Sequence, residues 1–201
     1  MIASASLDPP PLLLASTSPY RARLLQRLQL PFETCAPAVD ECAETTADPG
    51  QRARRLAVRK ARAGAAQYPR YAVLGSDQVA SCDGRILSKP GHAAAQMEQL
   101  QWLSGKTAVF HTAVALIDPS GGRALRQRLV TTRVRFRRLE AETIARYVQA
   151  EPAADCCGGF KCEGLGITLF QSVHSPDPTA LEGLPLIATA AMLRQAGMAL
   201  P

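Results

Sequence analysis

The chain has 201 residues, of which 47% are hydrophobic and 20% charged, which is typical of a soluble globular protein with a substantial core. No run approaches the roughly 20 apolar residues of a membrane-spanning helix, and residues 1–11 lack the basic start and apolar stretch of a secretory signal. The formal net charge of +6 suits an anionic partner but does not distinguish a nucleotide from nucleic acid.

Hydroxyl groups follow the first predicted strand. The pattern predicts a strand at residues 12–15 and a helix at residues 19–29, with Ser18 as N-cap and Pro19 at the first helical position. Free N–H groups and the helix dipole favour anions at such a start, and the guanidinium of Arg21 matches phosphate oxygens. This indicates a phosphate site, although a capped helix with a solvated arginine explains the same residues when taken alone.

A strand at residues 32–36 comes next and is followed by a long helix at residues 49–67. Asp48 and Pro49 form the cap and first position of that helix. The helix carries six basic residues between positions 52 and 62, and we expect most of them to form a solvated face.

An apolar run at residues 71–74 predicts a short buried strand. Gly75 and Ser76 are expected to break it, which places Asp77 at its carboxyl end. Ligands of open α/β sheets bind outside the carboxyl ends of their strands, and a carboxylate there can bind a metal or accept a proton from water. A structural aspartate that closes the strand fits this segment equally well.

The second half of the chain continues the alternation of helices and strands. Its predicted elements are a turn at Asp83-Gly84 between short strands, a helix at 92–103, strands at 106–117 and 124–137 joined by the hairpin signal Pro119-Ser120-Gly121-Gly122, a helix at 140–150, a strand at 166–170 and a helix at 184–196. The whole predicts an α/β fold around a mixed sheet. We expect a flexible lead-in at residues 1–11 and a single domain at residues 12–201.

Cysteine and histidine spacing does not indicate a zinc site. The six cysteines contain no Cys-X-X-Cys pair, and the three histidines are scattered. Without a secretory signal, free thiols in a reducing compartment are the default, so we expect a cytoplasmic protein.

Several short segments together indicate a family. They are Leu14-Ala15-Ser16-Thr17-Ser18-Pro19-Tyr20-Arg21, Val39-Asp40-Glu41, Gly75-Ser76-Asp77-Gln78, Ser88-Lys89-Pro90, Leu103-Ser104-Gly105, Thr112-Ala113-Val114-Ala115-Leu116 and Gly183-Leu184-Pro185-Leu186. In this order, over nearly the whole chain after residue 11, they resemble the Maf family of nucleoside triphosphate pyrophosphatases. Residues 76–78 and 160–170 are more similar to the branch that hydrolyses 7-methyl-GTP than to the branch acting on dTTP and UTP.

The resemblance implies an elongated mixed sheet with flanking helices, in two lobes around a cleft, as in inosine triphosphatases. It also implies cleavage between the α and β phosphates, with Mg²⁺ or Mn²⁺ as cofactor. The implied roles are Asp77 as the catalytic proton acceptor, Glu41 and Asp77 as metal ligands, Ser16, Ser18, Arg21, Lys60 and Lys89 as phosphate contacts, and Tyr20, Gln78 and Glu163 as readers of the base. An acidic loop at Glu41, a solvated Lys89 and a turn residue at Glu163 are the structural alternatives.

Three alternative functions remain at this point. One is a dTTP or UTP pyrophosphatase of the same family, and another is a regulatory protein of cell division. The third is a basic nucleic-acid-binding module, which the arginines of residues 133–138 would suit, although no exposed aromatic residues accompany them. We expect a nucleoside triphosphate as partner, neither membrane nor nucleic acid, and, by resemblance only, a homodimer.

Overall fold

The computed structural model describes residues 9–119, 122 and 124–201, which form one mixed sheet flanked by helices. The strands are β1 (Leu12–Ala15), β2 (Phe32–Cys35), β3 (Ala72–Cys82), β4 (Arg85–Leu87), β5 (Thr107–Asp118), β6 (Ala124–Phe136) and β7 (Phe170–His174). The α-helices are α1 (Pro19–Gln26), α2 (Pro49–Gln67), α3 (Ala93–Leu103), α4 (Ala141–Ala150) and α5 (Leu186–Gln195), with short 3₁₀ helices at Leu165–Leu169 and Pro178–Glu182. Most of the lead-in predicted at residues 1–11 lies outside the described residues.

The order of strands in the sheet is β2-β1-β3-β5-β6-β7, and β4 pairs with β3 beside this path. Strand β1 runs parallel to β2 and β3, whereas the other pairs are antiparallel. The predicted mixed α/β sheet is therefore confirmed. The hairpin is confirmed as well, since β5 and β6 pair from Thr107↔Arg135 to Asp118↔Ala124, although residues 120, 121 and 123 of its connection lie outside the described part.

The predicted break in the third strand is wrong. Strand β3 continues through Gly75 and Ser76, which pair with Ala115 and Val114 of β5, so Asp77 lies in the middle of the strand. A Cβ atom on Gly75 would lie 2.4 Å from the carbonyl oxygen of Ala57 in α2. The glycine is present because helix and strand touch there, and such a contact across the fold leaves no local signal in the sequence.

The strand predicted at residues 166–170 is also wrong, because Leu165–Leu169 is a 3₁₀ helix and β7 begins only at Phe170. The carboxylate of Glu151 accepts hydrogen bonds from the N–H groups of Leu165, at 3.2 Å, and Gly166, at 3.1 Å. A Cβ atom on Gly166 would lie 2.4 Å from the Lys161 carbonyl oxygen. The chain is thus curled tightly around Glu151 instead of extended.

The core is divided into two lobes along the sheet. In the first lobe, one apolar cluster packs α1 and α5 on β1 and the start of β3, and a second packs α2 on the opposite face. In the second lobe, a separate cluster packs α3 and α4 on the end of β3 and on β5 and β6. The two-lobed arrangement expected from the resemblance is present.

Strand β3 has a gap along one edge between the lobes. On that edge β1 pairs with residues 72–74 and β4 with residues 80–82. Among the strands that the structure describes, none pairs with residues 75–79 there. The gap leaves this edge of β3 without a partner strand at residues 75–79, and Asp77 lies at its centre.

Candidate active site

A pocket of about 410 Å³ lies at Asp77, and every site residue predicted from the sequence contributes to its lining. These residues are Ser16, Ser18, Tyr20, Arg21, Glu41, Lys60, Asp77, Gln78, Lys89 and Glu163. They come from α1, α2, β3 and several loops, so it is the fold that brings them together. The pocket also contains residues that the sequence did not single out, including Asp155, Cys156, Cys157, Cys162 and Glu182.

The start of α1 holds the first group of polar side chains. Ser18 is the N-cap and accepts a hydrogen bond from the Arg21 N–H, while its own N–H donates to the Ser16 hydroxyl at 3.1 Å. The Arg21 side chain donates through Nη1 to Ser16 Oγ, at 3.4 Å, and through Nε to the Gly183 carbonyl oxygen, at 3.0 Å. These bonds fix the guanidinium at the pocket and leave Nη2 for an anionic ligand.

A buried lysine joins the two candidate metal ligands. Lys60 Nζ lies 2.6 Å from Asp77 Oδ1 and 2.7 Å from Glu41 Oε1. Lys60 and Asp77 are each 5% exposed, whereas Glu41 is exposed. Gly75 makes this contact feasible, because the helix that carries Lys60 could not approach β3 so closely past a side chain.

The two carboxylates differ in their electrostatic environment. Burial raises the pKa of Asp77 above its ordinary value, and the charges of Lys60 and Arg21 oppose this without cancelling it. Partial burial also disfavours ionisation of Glu41, but there the hydrogen bond and charge of Lys60 outweigh it and lower the pKa. Asp77 is therefore the stronger base of the pair, which suits a group that accepts a proton.

Tyr20 at the start of α1 also lines the pocket. Its hydroxyl donates a 3.3 Å hydrogen bond to Asp155 Oδ2, and Cys156 Sγ lies 3.8 Å away. Burial, with smaller effects of Cys156 and Asp155, raises the pKa of Tyr20, so the phenol is protonated and neutral. Its ring is thus fixed at the pocket wall, as stacking on a purine requires.

Gln78 and Ser76 fasten the Pro178–Glu182 segment to the middle of β3. The Gln78 amide nitrogen lies 3.0 Å from the Ala180 carbonyl oxygen and 3.1 Å from that of Leu181. The Ser76 hydroxyl lies 2.9 Å from the Gly183 carbonyl oxygen and 2.8 Å from that of Ala113, and shares its proton between them. Gln78 was expected to read the base, but its amide nitrogen bonds to backbone, which leaves only its amide oxygen for a ligand.

Two of the pocket residues missed by the sequence reasoning are carboxylates, Asp155 and Glu182. Asp155 lies directly before two cysteines, and Glu182 directly precedes the Gly-Leu-Pro-Leu segment already quoted for the resemblance. That adjacency is the signal that could have found Glu182. Acidic residues are so common in turns and loops that neither would stand out by itself.

Comparison with known proteins identifies the family. A family model described as "Maf-like protein" matches residues 11–196. The chain belongs to the Maf-like protein family. Proteins named 7-methyl-GTP pyrophosphatase are similar to it over nearly their whole length. That of Xanthomonas campestris pv. campestris (strain 8004) is 54% identical over 192 residues, which cover 96% of this chain and 99% of the relative.

One more relative and one solved structure are similar to the chain. The 7-methyl-GTP pyrophosphatase of Aromatoleum aromaticum is 53% identical over 190 residues, which cover 94% of this Maf-like chain and 97% of the relative. The crystal structure of a nucleoside-triphosphatase / dITP/XTP pyrophosphatase from Mycobacterium abscessus covers 92% of this chain and 93% of its own. Its sequence identity is 19% and its TM-score 0.45, a likeness that bears no functional conclusion.

The donor set of this Maf-like protein fits a divalent cation that the substrate helps to bind. Within residues 9–119, 122 and 124–201, no group of three His, Cys, Asp or Glu side chains could hold a metal. Glu41 and Asp77 nevertheless converge on a single cationic group, the Lys60 ammonium. Mg²⁺ commonly binds through one or two carboxylates together with substrate phosphates, and this pair provides that minimum.

None of the helices in the described part of the chain combines the length and the apolar character that crossing a membrane requires.

Proposed function

We propose that this Maf-like protein hydrolyses 7-methyl-GTP to 7-methyl-GMP and pyrophosphate. The observation that carries the proposal is the buried Lys60–Asp77 pair at a pocket that also contains the Arg21 guanidinium. A buried acid–base pair beside free cationic groups suits attack of water on a polyphosphate. The 7-methyl-GTP pyrophosphatases that are more than half identical to this chain support the choice of substrate.

The mechanism follows from where the charges lie. Arg21, Lys60 and Lys89 bind the triphosphate oxygens, which reduces the repulsion that a tetra-anion exerts on a nucleophile. Asp77 accepts the proton of the attacking water, because its burial favours the protonated product state. A divalent cation held by Glu41 and Asp77 would supply further charge neutralisation for the phosphates.

Lys60 connects these roles. Its ammonium contacts both carboxylates, so it holds Asp77 in place and keeps it ionised before the reaction. A phosphate oxygen that binds Lys60 takes over part of this contact and makes Asp77 a stronger base at the moment when the substrate arrives. Substrate binding and activation of the general base are thereby coupled through one side chain.

The proposal includes Mg²⁺ or Mn²⁺ as the metal, the cytoplasm as the compartment and a homodimer as the assembly. The carboxylate oxygens around Lys60 support a hard cation over zinc. Light scattering on the purified protein tests the assembly, since a homodimer has twice the 21.5 kDa mass of the chain.

Pyrophosphate release from a nucleotide panel tests the function. The panel contains 7-methyl-GTP, GTP, UTP and dTTP at equal concentrations with Mg²⁺. We expect the highest kcat/KM for 7-methyl-GTP, with the monophosphate as second product. A preference for UTP or dTTP would place the chain in the other branch, and release of orthophosphate instead of pyrophosphate would contradict the reaction itself.

A further inference from the structure

The charged side chains of the pocket form a mixed group around Lys60, which includes the carboxylates Glu41 and Asp77, and a separate set of carboxylates. Arg21, Lys60 and Lys89 carry positive charge, and their fields reach the Glu41 carboxylate together. Asp155, Glu163 and Glu182 form the second group, which contains only carboxylates. In the part of the chain that the structure describes, these three make no ion pair with any lysine, arginine or histidine. The first group thus holds all the cations of the pocket lining, and the second holds only carboxylates without an ion-pair partner among the described residues.

Glu182 is the carboxylate of this acidic group that is held most firmly by backbone contacts. It ends the Pro178–Glu182 helix, whose Ala180 and Leu181 carbonyl groups bind the Gln78 amide. The next residue, Gly183, binds both Ser76 and Arg21 through its carbonyl oxygen. The backbone on each side of Glu182 is thus fixed to β3 and α1, and the carboxylate remains at the pocket wall.

The environment of Glu182 favours a positively charged neighbour. Its side chain is partly buried and takes part in no hydrogen bond or ion pair among the described residues. Burial and the negative charge of Glu163 both raise its pKa, and the charge of Arg27 opposes them incompletely. A cationic ligand between Glu163 and Glu182 would relieve their repulsion.

We propose that Glu182 determines specificity by selecting, together with Glu163, a nucleotide whose base carries a positive charge. The inference rests on the proposed function and deepens it. Methylation at N7 leaves a purine with a delocalised positive charge, whereas the bases of GTP, UTP and dTTP are neutral. Such a substrate is cationic at its base and anionic at its phosphates, and the pocket offers cations for the phosphates and the Glu163 and Glu182 carboxylates for the base. Tyr20, which also lines the pocket, adds a ring face that favours a cation.

The test compares Glu182→Gln with the wild-type protein on two substrates that differ only in charge and one methyl group. Glutamine keeps the size of the side chain but removes its charge. We expect kcat/KM for 7-methyl-GTP to fall on the order of tenfold, as one partly screened charge pair predicts, and that for GTP to change less than about twofold. Glu142→Gln, an exposed glutamate on α4, is the matched control and should change neither value.

Calorimetry of the two products separates the inference from the reaction. Wild-type protein should bind 7-methyl-GMP more tightly than GMP, and Glu182→Gln should lose most of that difference while Glu182→Asp retains part of it. Equal losses on both nucleotides, or no binding preference in the wild type, would overturn the inference even if pyrophosphate is released normally. If wild-type protein releases no pyrophosphate from either nucleotide, the proposed function fails, and the binding preference still decides the role of Glu182.

Discussion

Replacing Gly75 with alanine tests whether close contact between α2 and β3 builds the active site. The new Cβ atom would lie 2.4 Å from the Ala57 carbonyl oxygen and 2.5 Å from the Ala61 nitrogen. Ordinary contact begins near 3.4 Å, so the helix must retreat by about 1 Å. Overpacking of this kind costs roughly 1–3 kcal/mol of unfolding free energy. Lys60 directly precedes Ala61 and must retreat from Asp77, and a displacement of 1 Å can lower kcat/KM by about a hundredfold.

Urea unfolding and initial rates of pyrophosphate release measure these two effects separately. Gly50→Ala is the matched control on the same helix. Its Cβ atom would lie 3.2 Å from Leu129 Cδ2, 3.3 Å from Asp48 Oδ1 and 3.4 Å from His111 Nδ1, so its neighbours need to give by only a few tenths of an ångström. We expect that control to stay within about 1 kcal/mol of wild type and to keep its activity. A Gly75→Ala protein with wild-type stability and kcat/KM would refute the role given to this contact.

Three further outcomes are expected. Asp77→Asn should lower kcat by roughly 10²–10⁴-fold. The variant should remain folded, because Lys60 keeps Glu41 as its ion-pair partner. The control Asp83→Asn, at the exposed turn after β3, should leave kcat unchanged. EDTA should abolish activity and Mg²⁺ restore it, and full activity in EDTA would remove the metal from the proposal. Burial raises the pKa of Cys156 to about 11, so its thiolate at pH 8 is roughly a hundredfold scarcer than usual. An alkylating reagent should therefore modify the exposed Cys42 before Cys156, as mass spectrometry would show. The rate of modification of Cys156 should rise about tenfold with each pH unit up to about pH 11.

Capping residues in the sequence correctly predicted where a helix begins. Asp48 and Pro49 fixed the start of a helix that indeed spans Pro49–Gln67, and the Asp48 side chain caps it at 2.7 Å from the Gln51 nitrogen. Gly75 was interpreted incorrectly, because a glycine required by a neighbouring helix has the same sequence signal as one that ends a strand. Only the three-dimensional contact with Ala57 distinguishes the two.

For the candidate site as well, the sequence predicted some residues and missed others. The segments quoted for the resemblance predicted residues that do line one pocket, including Glu41, whose loop carried no helix or strand pattern. Asp155 and Glu182 were missed because their importance depends on which residues lie across the cavity. The hydrogen bonds of Gln78 were not predictable from the sequence either, since their acceptors, the carbonyl groups of Ala180 and Leu181, lie about a hundred residues away.

The gap along β3 has a consequence for motion. Among the strands that the structure describes, only β3, β5 and β6 run past residues 75–79 from one lobe to the other, since β1 stops at Ala15 and β4 covers only residues 80–82. A ribbon of three strands resists twisting less than the wider sheet on either side, so we expect bending between the lobes to concentrate there. Asp77 lies in this stretch of β3, where such bending would displace atoms least. We expect the lobes to open and close with little movement of the Asp77 carboxylate.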